Sequence, residues 1–243
     1  MNPDGSVHST YANTDPLALY RDAWSHVPGS TWSSTPELRH QFLPKHLNKI
    51  DLRKAQKEID SIDEYFYSIS GLPVITPDNV DHFLKAIHFL HGKATITLWS
   101  WYAGSARLTL TMFWPPFGRL VLFPVDLRYG WDIRLPHVQQ TLRRVDAIWL
   151  PMCTTLEPRC KHWSRAGNRR APEMTEALRQ SEDPMLRFTA GHIERIHYSS
   201  RLWWLENPQG SALFTESALA SVQRLPYTSE TERQQCNKIT CMC

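Results

Sequence analysis

The chain has 243 residues, of which 42% are hydrophobic and 21% are charged, and its formal net charge is +3. This length supports one sizeable core, no apolar run approaches the roughly 20 residues of a membrane helix, and the N-terminus lacks the features of a secretory signal. The odd number of irregularly spaced cysteines argues against a disulfide framework, so we expect an intracellular protein, cytoplasmic or nuclear, with no membrane partner.

The first part of the chain divides into an arm and a helical extension. Residues 1–35 are rich in Ser, Thr, Pro, Gly, Asn and Asp, which predicts a mobile or loosely docked arm. Residues 36–92 form the extension, where apolar residues at helical spacing predict one helix over residues 36–67. A second helix is predicted to start after Asn79 and to end at Gly92.

The middle of the chain carries the pattern strand, tight turn, helix, strand. β-Branched and aromatic residues over 95–101 predict a buried strand, and the small residues 103–106 follow it as a turn. An apolar helix over 108–113 is expected to stop at two prolines, and a second strand over 120–123 leads to Asp126. An acid roughly 20 residues after a small-residue turn is what a doubly wound sheet uses to hold ribose hydroxyls.

A third strand is predicted to deliver a thiol. Residues 136–144 can form a crossover helix, and the apolar run over 145–150 is interpreted as a central strand that runs into Cys153. Residues 156–172 are polar, basic and contain glycine, which indicates a surface loop.

A fourth strand is predicted to deliver a carboxylate. It covers residues 202–205, ends at Glu206, and follows a helix over 173–199 that we expect to break at Pro184. A short helix over residues 216–223 comes next.

Strands that alternate with helices at these intervals predict an α/β fold, a Rossmann-like and mostly parallel sheet with flanking helices. We assign it to residues 93–225 and interpret residues 226–243 as a polar tail. The carboxyl ends of parallel strands lie at one edge of the sheet, where such folds bind ligands. The residues expected to meet at this edge are Gly104, Asp126, Cys153 and Glu206.

These residues resemble the motifs of class I S-adenosylmethionine-dependent methyltransferases, specifically the DNA cytosine carbon-5 methyltransferase-like proteins of phages and mobile elements. The similarity runs over residues 95–214. It implies S-adenosyl-L-methionine as the cofactor, with residues 102–106 near its methionine part, Asp126 near the ribose and Asp132 near the adenine. The cofactor-binding residues that the resemblance assigns are Tyr102, Ala103, Gly104, Ser105, Ala106, Asp126, Asp132 and Pro151.

The resemblance also assigns a catalytic pair. Cys153 follows Pro151, with Met152 between them, and is similar to the Pro-Cys nucleophile of the family. Cytosine carbon 5 is a poor nucleophile until a thiolate adds to carbon 6, so Cys153 would be the nucleophile and Glu206 the acid partner that hydrogen-bonds the ring. A duplex hides carbon 6, so the base would be flipped out or single-stranded.

DNA is the partner that the resemblance implies. Asn207 and Pro208 follow Glu206 as in the Glu-Asn motif that holds the base, and Arg169 and Arg170 are candidates for phosphate contacts. The last strands of the family have no evident counterpart, which predicts a domain shortened at its C-terminus. The sequence does not indicate an oligomeric state.

Three other functions fit parts of this pattern. A methyltransferase fold that has lost catalysis would be a binding module or a mobile-element remnant. Methylation of an amino group would need an Asp- or Asn-Pro-Pro-aromatic motif, which is missing. A nicotinamide-dependent oxidoreductase would carry more glycines in its turn. The cysteine and histidine spacings do not match a usual zinc site, so no metal is expected.

Overall fold

The centre of the molecule is a β-sheet whose first three strands are parallel. The computed structural model describes residues 15–28, 72–104, 106–113, 117–159, 162–163, 172–208, 210–233 and 237–242. Its strands are β1 (Leu98–Trp101), β2 (Cys153–Leu156), β3 (Leu202–Pro208), β4 (Thr228–Arg233) and β5 (Asn237–Met242). Their order in the sheet is β1-β2-β3-β5-β4, and β5 runs antiparallel to both of its neighbours.

The sheet continues past β1 through a segment that makes two single parallel bridges. Val121 pairs with Leu98, and Val125 pairs with Trp101. After β1 the chain therefore returns on one side of this strand and then crosses to its other side to form β2. That reversal makes the carboxyl end of β1 a topological switch point, where open α/β sheets form a crevice.

Five helices accompany the sheet in the described part of the chain. They are α1 (Pro16–Ser25), α2 (Val80–Ile87), α3 (Arg107–Phe113), α4 (Pro136–Trp149) and α5 (Pro172–Tyr198). Short 3-10 turns cover His88–Leu90, Leu127–Tyr129, Ala212–Thr215, Ser217–Leu219 and Val222–Arg224. Helix α1 packs on α2, α3 on β1 and α5 on β3. None of these helices has the length and apolar character needed to cross a membrane.

The core is built around the tryptophans of β1. All four residues of this strand are buried, as its position between two strands and under helices requires. The Trp99 and Trp101 rings meet edge to face with centroids 5.2 Å apart, and His192 of α5 stacks on Trp101 at 4.0 Å. Burying side chains of this kind contributes roughly 1.5–3 kcal/mol each, so this layer fixes how α5 lies on the sheet.

A buried ionic group joins the end of α4 to the start of β3. The Asp146 carboxylate accepts hydrogen bonds from Arg201 at 2.8 and 3.1 Å and from Arg195 at 3.2 Å. Burial by itself would raise the pKa of Asp146, but the hydrogen bond and charge of Arg201, with the charge of Arg195, hold it below its ordinary value. Asp146 is therefore a charged anchor inside the fold.

The predicted alternation of strands and helices is confirmed as an α/β fold with a three-strand parallel sheet. The strand predicted over residues 145–150 is wrong, because α4 continues to Trp149. Its buried residues repeat at helical spacing, whereas a short apolar run does not by itself distinguish a strand from a buried helix turn. They are Val138, Leu142, Val145, Asp146 and Trp149.

The predicted break at Pro184 is also wrong. Helix α5 runs through this proline for 27 residues. Proline removes one backbone hydrogen bond and costs roughly 3 kcal/mol in a helix interior. Pro184 is exposed, while Leu186, Phe188 and Ile193 beyond it are buried, and this packing outweighs the local cost.

Both ends of the chain differ from the sequence interpretation. Helix α1 lies within the predicted arm, yet Tyr20 and Trp24 are almost fully buried, and the Tyr20 hydroxyl donates a hydrogen bond to the Val121 carbonyl. The predicted polar tail supplies β4 and β5, so the sheet does not stop at β3. The helix predicted over residues 36–67 lies outside the described residues, and 3-10 turns replace the helix predicted over residues 216–223.

Candidate functional site

The turn after β1 holds three residues in the left-handed region. The φ angles of Tyr102, Gly104 and Ala106 are 59°, 53° and 56°. Glycine adopts this conformation without steric cost, but a residue with a side chain loses about 1–3 kcal/mol when it is held there. Strain of this kind concentrates at functional sites, and here it lies at the switch point of the sheet.

Asp126 closes this turn from the neighbouring segment. One of its carboxylate oxygens accepts from the Gly104 N–H at 3.0 Å, and the other accepts from the Arg128 N–H at 2.9 Å. The Tyr129 hydroxyl donates to the Gly104 carbonyl at 2.8 Å. Because a carboxylate has about four lone-pair positions, Asp126 can hold the turn and still accept from a ligand hydroxyl.

A cleft opens beside this turn. Three of the predicted cofactor residues, Tyr102, Asp126 and Asp132, line it together. The other lining residues are Leu127, Trp131, Ile133, Arg134, Arg159, Glu182 and Met185. The cavity volume is about 90 Å³, which makes it a small cleft.

Arg134 and Asp132 pair across the wall of the cleft. The guanidinium donates to both carboxylate oxygens, at 2.8 and 2.7 Å. Burial raises the pKa of Asp132, but the hydrogen bonds and charge of Arg134 outweigh it and leave the pKa below its ordinary value. Asp132 is therefore an anion, and its partner in the structure is Arg134. An anion at this position could accept a hydrogen bond, as the predicted adenine contact requires.

Glu182 of α5 links the cleft to the segment after β2. Its carboxylate accepts from the Trp163 indole N–H at 3.1 Å and lies 3.5 Å from the His162 ring nitrogen. Arg179 donates to the His162 carbonyl at 2.9 Å and stands over the Trp163 ring. Burial raises the pKa of Glu182. Residues 162–163 are thereby fixed against α5.

Asn207 anchors the start of the same segment. Its amide donates to the Pro158 carbonyl at 2.7 Å, and its oxygen accepts from Ser211 at 2.6 Å. Asn207 was predicted to contact the substrate. In the structure its side chain instead hydrogen-bonds the segment that follows β2. Pro208 is half-buried at the end of β3.

Two glutamates are in register on neighbouring strands, one directly after β2 and the other inside β3, which continues to Pro208 and so does not end at Glu206 as predicted. The last register pair of these strands is Leu156 with Leu205, and Glu157 and Glu206 come next on each strand. Burial, and then the charge of Glu206, raise the pKa of Glu157 to about 7. Burial also raises the pKa of Glu206.

The structure does not bring Cys153 to Glu206. Cys153 begins β2 and pairs with Leu98 and Leu202 at the amino ends of the strands, so the prediction that it ends a strand is wrong. Glu206 lies four residues beyond Leu202, about 13 Å along the strand at about 3.3 Å per residue. Burial raises the pKa of the Cys153 thiol.

Pro151 also lies on the amino side of β2, away from the cleft that it was predicted to line. It is buried, and its carbonyl accepts from Arg201 at 3.4 Å. Ala103 and Ala106 belong to the turn. Ser105, Arg169 and Arg170 fall outside the described residues.

Sequence reasoning missed Arg134, Glu157 and Glu182. The signal for Glu157 is present in the sequence, since Glu157-Pro158 directly follows the short run of residues 153–156. Placing the strand at residues 145–150 assigned these residues to a surface loop. Glu182 carries no comparable signal, because an acid within a long helix is ordinarily a solvated side chain.

Comparison of the chain with family models, with curated proteins and with solved structures finds no match.

Proposed function

We propose that the protein is an S-adenosylmethionine-dependent methyltransferase that acts on carbon 5 of cytosine in DNA. The observation that carries this proposal is the strained turn after β1, joined to Asp126 beside the cleft. A turn and an acid at the switch point of a parallel sheet are the elements that bind a nucleoside with its ribose hydroxyls. The proposal extends the sequence resemblance with residues that are close in space.

The cofactor would lie along the cleft. Its methionine part would contact Ala103 and Gly104, and its ribose hydroxyls would donate to Asp126. Ligand pockets are usually about 300–1,000 Å³, whereas this cavity is about 90 Å³. We therefore expect Arg134 and Arg159, which are exposed residues of its wall, to move when the cofactor binds.

The base would lie at the carboxyl ends of β2 and β3. Glu206 would hydrogen-bond the ring there, and Cys153 lies at the opposite edge, about 13 Å away along the strand direction. We therefore do not assign the nucleophilic thiol to Cys153.

The roles of the residues follow from the chemistry. A cysteine thiolate would add to carbon 6 while a Glu206 O–H hydrogen-bonds the ring nitrogen, which makes carbon 5 nucleophilic. The cofactor would supply the methyl group that carbon 5 takes up and would leave as its demethylated thioether. Transfer of the carbon 5 proton to a water molecule would then allow the sulfur–carbon 6 bond to break, which restores the aromatic ring and the thiolate.

The experiment compares the wild type with Cys153→Ser. Wild-type protein should bind S-adenosylmethionine in calorimetry, transfer a labelled methyl group to cytosine-containing DNA and be trapped covalently by 5-fluorocytosine DNA. Cys153→Ser should preserve transfer and trapping, because Cys153 lies at the edge opposite Glu206. Loss of both in this variant would return the nucleophile to Cys153. Absence of binding at millimolar cofactor would refute the methyltransferase proposal.

A second candidate is a cofactor-binding module without catalysis. The position of Cys153 at the edge opposite Glu206 favours it, because the thiol is then far from a base held by Glu206. Binding without methyl transfer to any cytosine-containing DNA would select this candidate.

A further inference from the structure

A groove between α2 and α4 is a further concave surface of the described residues, separate from the cleft beside β1. We propose that it binds a small organic monoanion, an apolar body that carries one carboxylate. The cavity volume of the groove is about 480 Å³, within the roughly 300–1,000 Å³ that is usual for ligand pockets. This inference does not rest on the proposed function, because the groove and the cleft share no lining residue.

The two walls of the groove come from helix faces that lie side by side. On α2 the lining residues are spaced by three and four positions, which places them on one face of the helix. The lining residues are Asp81, Leu84, Lys85 and His88 on α2, and Arg144, Ile148 and Trp149 on α4. Helix α4 ends just before β2, so the groove lies toward the amino ends of the strands, opposite the edge that carries the cleft.

The floor of the groove is apolar. Leu84 and Ile148 are half-buried, and Trp149 is 6% exposed. The His91 ring meets the Trp149 ring edge to face with centroids 5.7 Å apart, which helps to fix the indole. A ligand with an apolar body would remove these surfaces from water, which favours binding.

The rim of the groove carries a net positive charge. Lys85 and Arg144 oppose the single acid Asp81, and Lys85 has no ion-pair partner in the part of the chain that the structure describes. Asp81 pairs with Arg144, but both side chains are exposed, and pairs of this kind are weak. Arg144 can therefore exchange Asp81 for a ligand carboxylate, which suits the fork of a guanidinium. A net charge of one favours a monoanion over a phosphate dianion.

Trp149 also leaves a hydrogen-bond donor unused. Its indole N–H is buried and has no acceptor among the described residues, whereas buried polar groups in native proteins ordinarily have a partner. The nitrogen is covered by its neighbours, so an acceptor reaches it only when an exposed side chain of the wall moves. Lys85 has a flexible four-carbon stem that allows such a movement. A carboxylate oxygen is an acceptor that suits Lys85, Arg144 and this N–H.

The first arm of the test measures affinity by calorimetry with naphthoate as the probe. Naphthoate should bind at least about tenfold more tightly than naphthalenemethanol, its neutral counterpart, since hydrogen bonds to charged groups are lost in the alcohol. Inorganic phosphate, which has no apolar body, should not compete with naphthoate. Equal affinities for the acid and the alcohol, or displacement of naphthoate by phosphate, would overturn the proposal.

The second arm assigns the binding to the rim. Lys85→Gln and Arg144→Gln should each weaken naphthoate binding about fivefold, the upper range for an exposed ion pair. Asp81→Asn should strengthen it, because this change removes the acid that competes for Arg144. Arg187→Gln is the matched control, since Arg187 is also exposed and paired with an aspartate, and it should leave the affinity unchanged. Weaker binding in Asp81→Asn, or equal losses in Arg144→Gln and Arg187→Gln, would refute the assignment.

The third arm observes the floor by NMR of nitrogen-15 labelled indole groups. The Trp149 signal is the one that disappears in Trp149→Phe, or that Ile148→Val displaces should the first variant fail to fold. It should shift with naphthoate and saturate at the affinity found by calorimetry. Saturating S-adenosylmethionine should leave this affinity unchanged. A Trp149 signal that ignores naphthoate, or competition by the cofactor, would overturn the site, whereas naphthoate binding without methyl transfer would refute the proposed function alone.

Discussion

Asp126 accepts a hydrogen bond from the Gly104 N–H at 3.0 Å, so the acid that would hold a ribose also holds the turn beneath it. We predict that Asp126→Ala weakens cofactor binding about 10- to 100-fold, since lost hydrogen bonds to a charged group cost about 1.5–3 kcal/mol. Calorimetry checks this prediction. Asp22→Ala, an exposed change on α1, should leave the affinity intact. Equal affinities for the two variants would contradict the role of Asp126.

Glu157 should make stability depend on pH in an unusual direction for an acid. Its folded pKa of about 7 lies above the ordinary value, so the stability it contributes is present below pH 4.5 and is lost as pH rises to 7. Glu157→Gln should therefore stabilise the protein at pH 8 by about 1–2 kcal/mol, a figure reduced for partial solvent screening, and have little effect at pH 4. Urea unfolding at both pH values measures it. A destabilised variant at pH 8 would contradict this expectation.

His192 should give the opposite dependence. Burial, only partly offset by the charge of Asp146, lowers its pKa to about 3. Arg195 donates to its Nδ1 at 2.7 Å, which requires the neutral ring, and Nε2 has no hydrogen-bond partner among the described residues. Below pH 6.5 His192 becomes protonated in the unfolded chain but stays neutral in the folded protein. The free energy of unfolding therefore falls as the pH drops from 6.5 toward 3.

His192→Phe keeps an aromatic ring on Trp101 and removes the titrating group. We expect the free energy of unfolding to depend less on pH between 6.5 and 4, by an amount on the order of a few kcal/mol. Replacing the exposed His82 with Gln is the control and should retain the wild-type dependence. An unchanged acid limb in His192→Phe would show that another group causes it.

Among the ionic groups of the described residues, we expect Asp146 to contribute most to the free energy of unfolding. Asp146→Ala should cost about 3–5 kcal/mol, because it leaves the half-buried Arg201 guanidinium without its carboxylate partner. Asp81→Ala breaks an exposed pair with Arg144 and should cost at most about 1 kcal/mol. Chemical denaturation of both variants tests the contrast, and equal losses would refute it.

The central part of the fold and the cofactor side of the site could be predicted from sequence because their signals are local. A buried strand, a small-residue turn and an acid roughly 20 residues later are patterns in adjacent residues. They identified Asp126, and the family resemblance added Tyr102 and Asp132; the three residues line one cleft.

The base side could not be predicted in the same way. The run 145–150 is apolar and short, and only the packing of α4 decides that it is helical. The wrong strand prediction over residues 145–150 shifted β2 by several residues and placed Cys153 at the wrong edge of the sheet. It also assigned Glu157 to a loop. The hairpin of β4 and β5 was missed because both strands are largely polar in sequence and carry weak hydrophobic alternation.

The hydrogen bond from Tyr20 to Val121 joins residues 101 positions apart in the sequence. Closing a loop of that size costs roughly 4 kcal/mol of chain entropy, about twice the cost for 10 residues. Helix α1 can therefore make this contact only once Val121 is held against β1. During synthesis α1 leaves the ribosome before the residues that form its binding surface. In the folded protein, detachment of α1 would expose Tyr20 and Trp24 without breaking any strand pairing. Native-state hydrogen exchange should find α1 opening at lower free energy than β1.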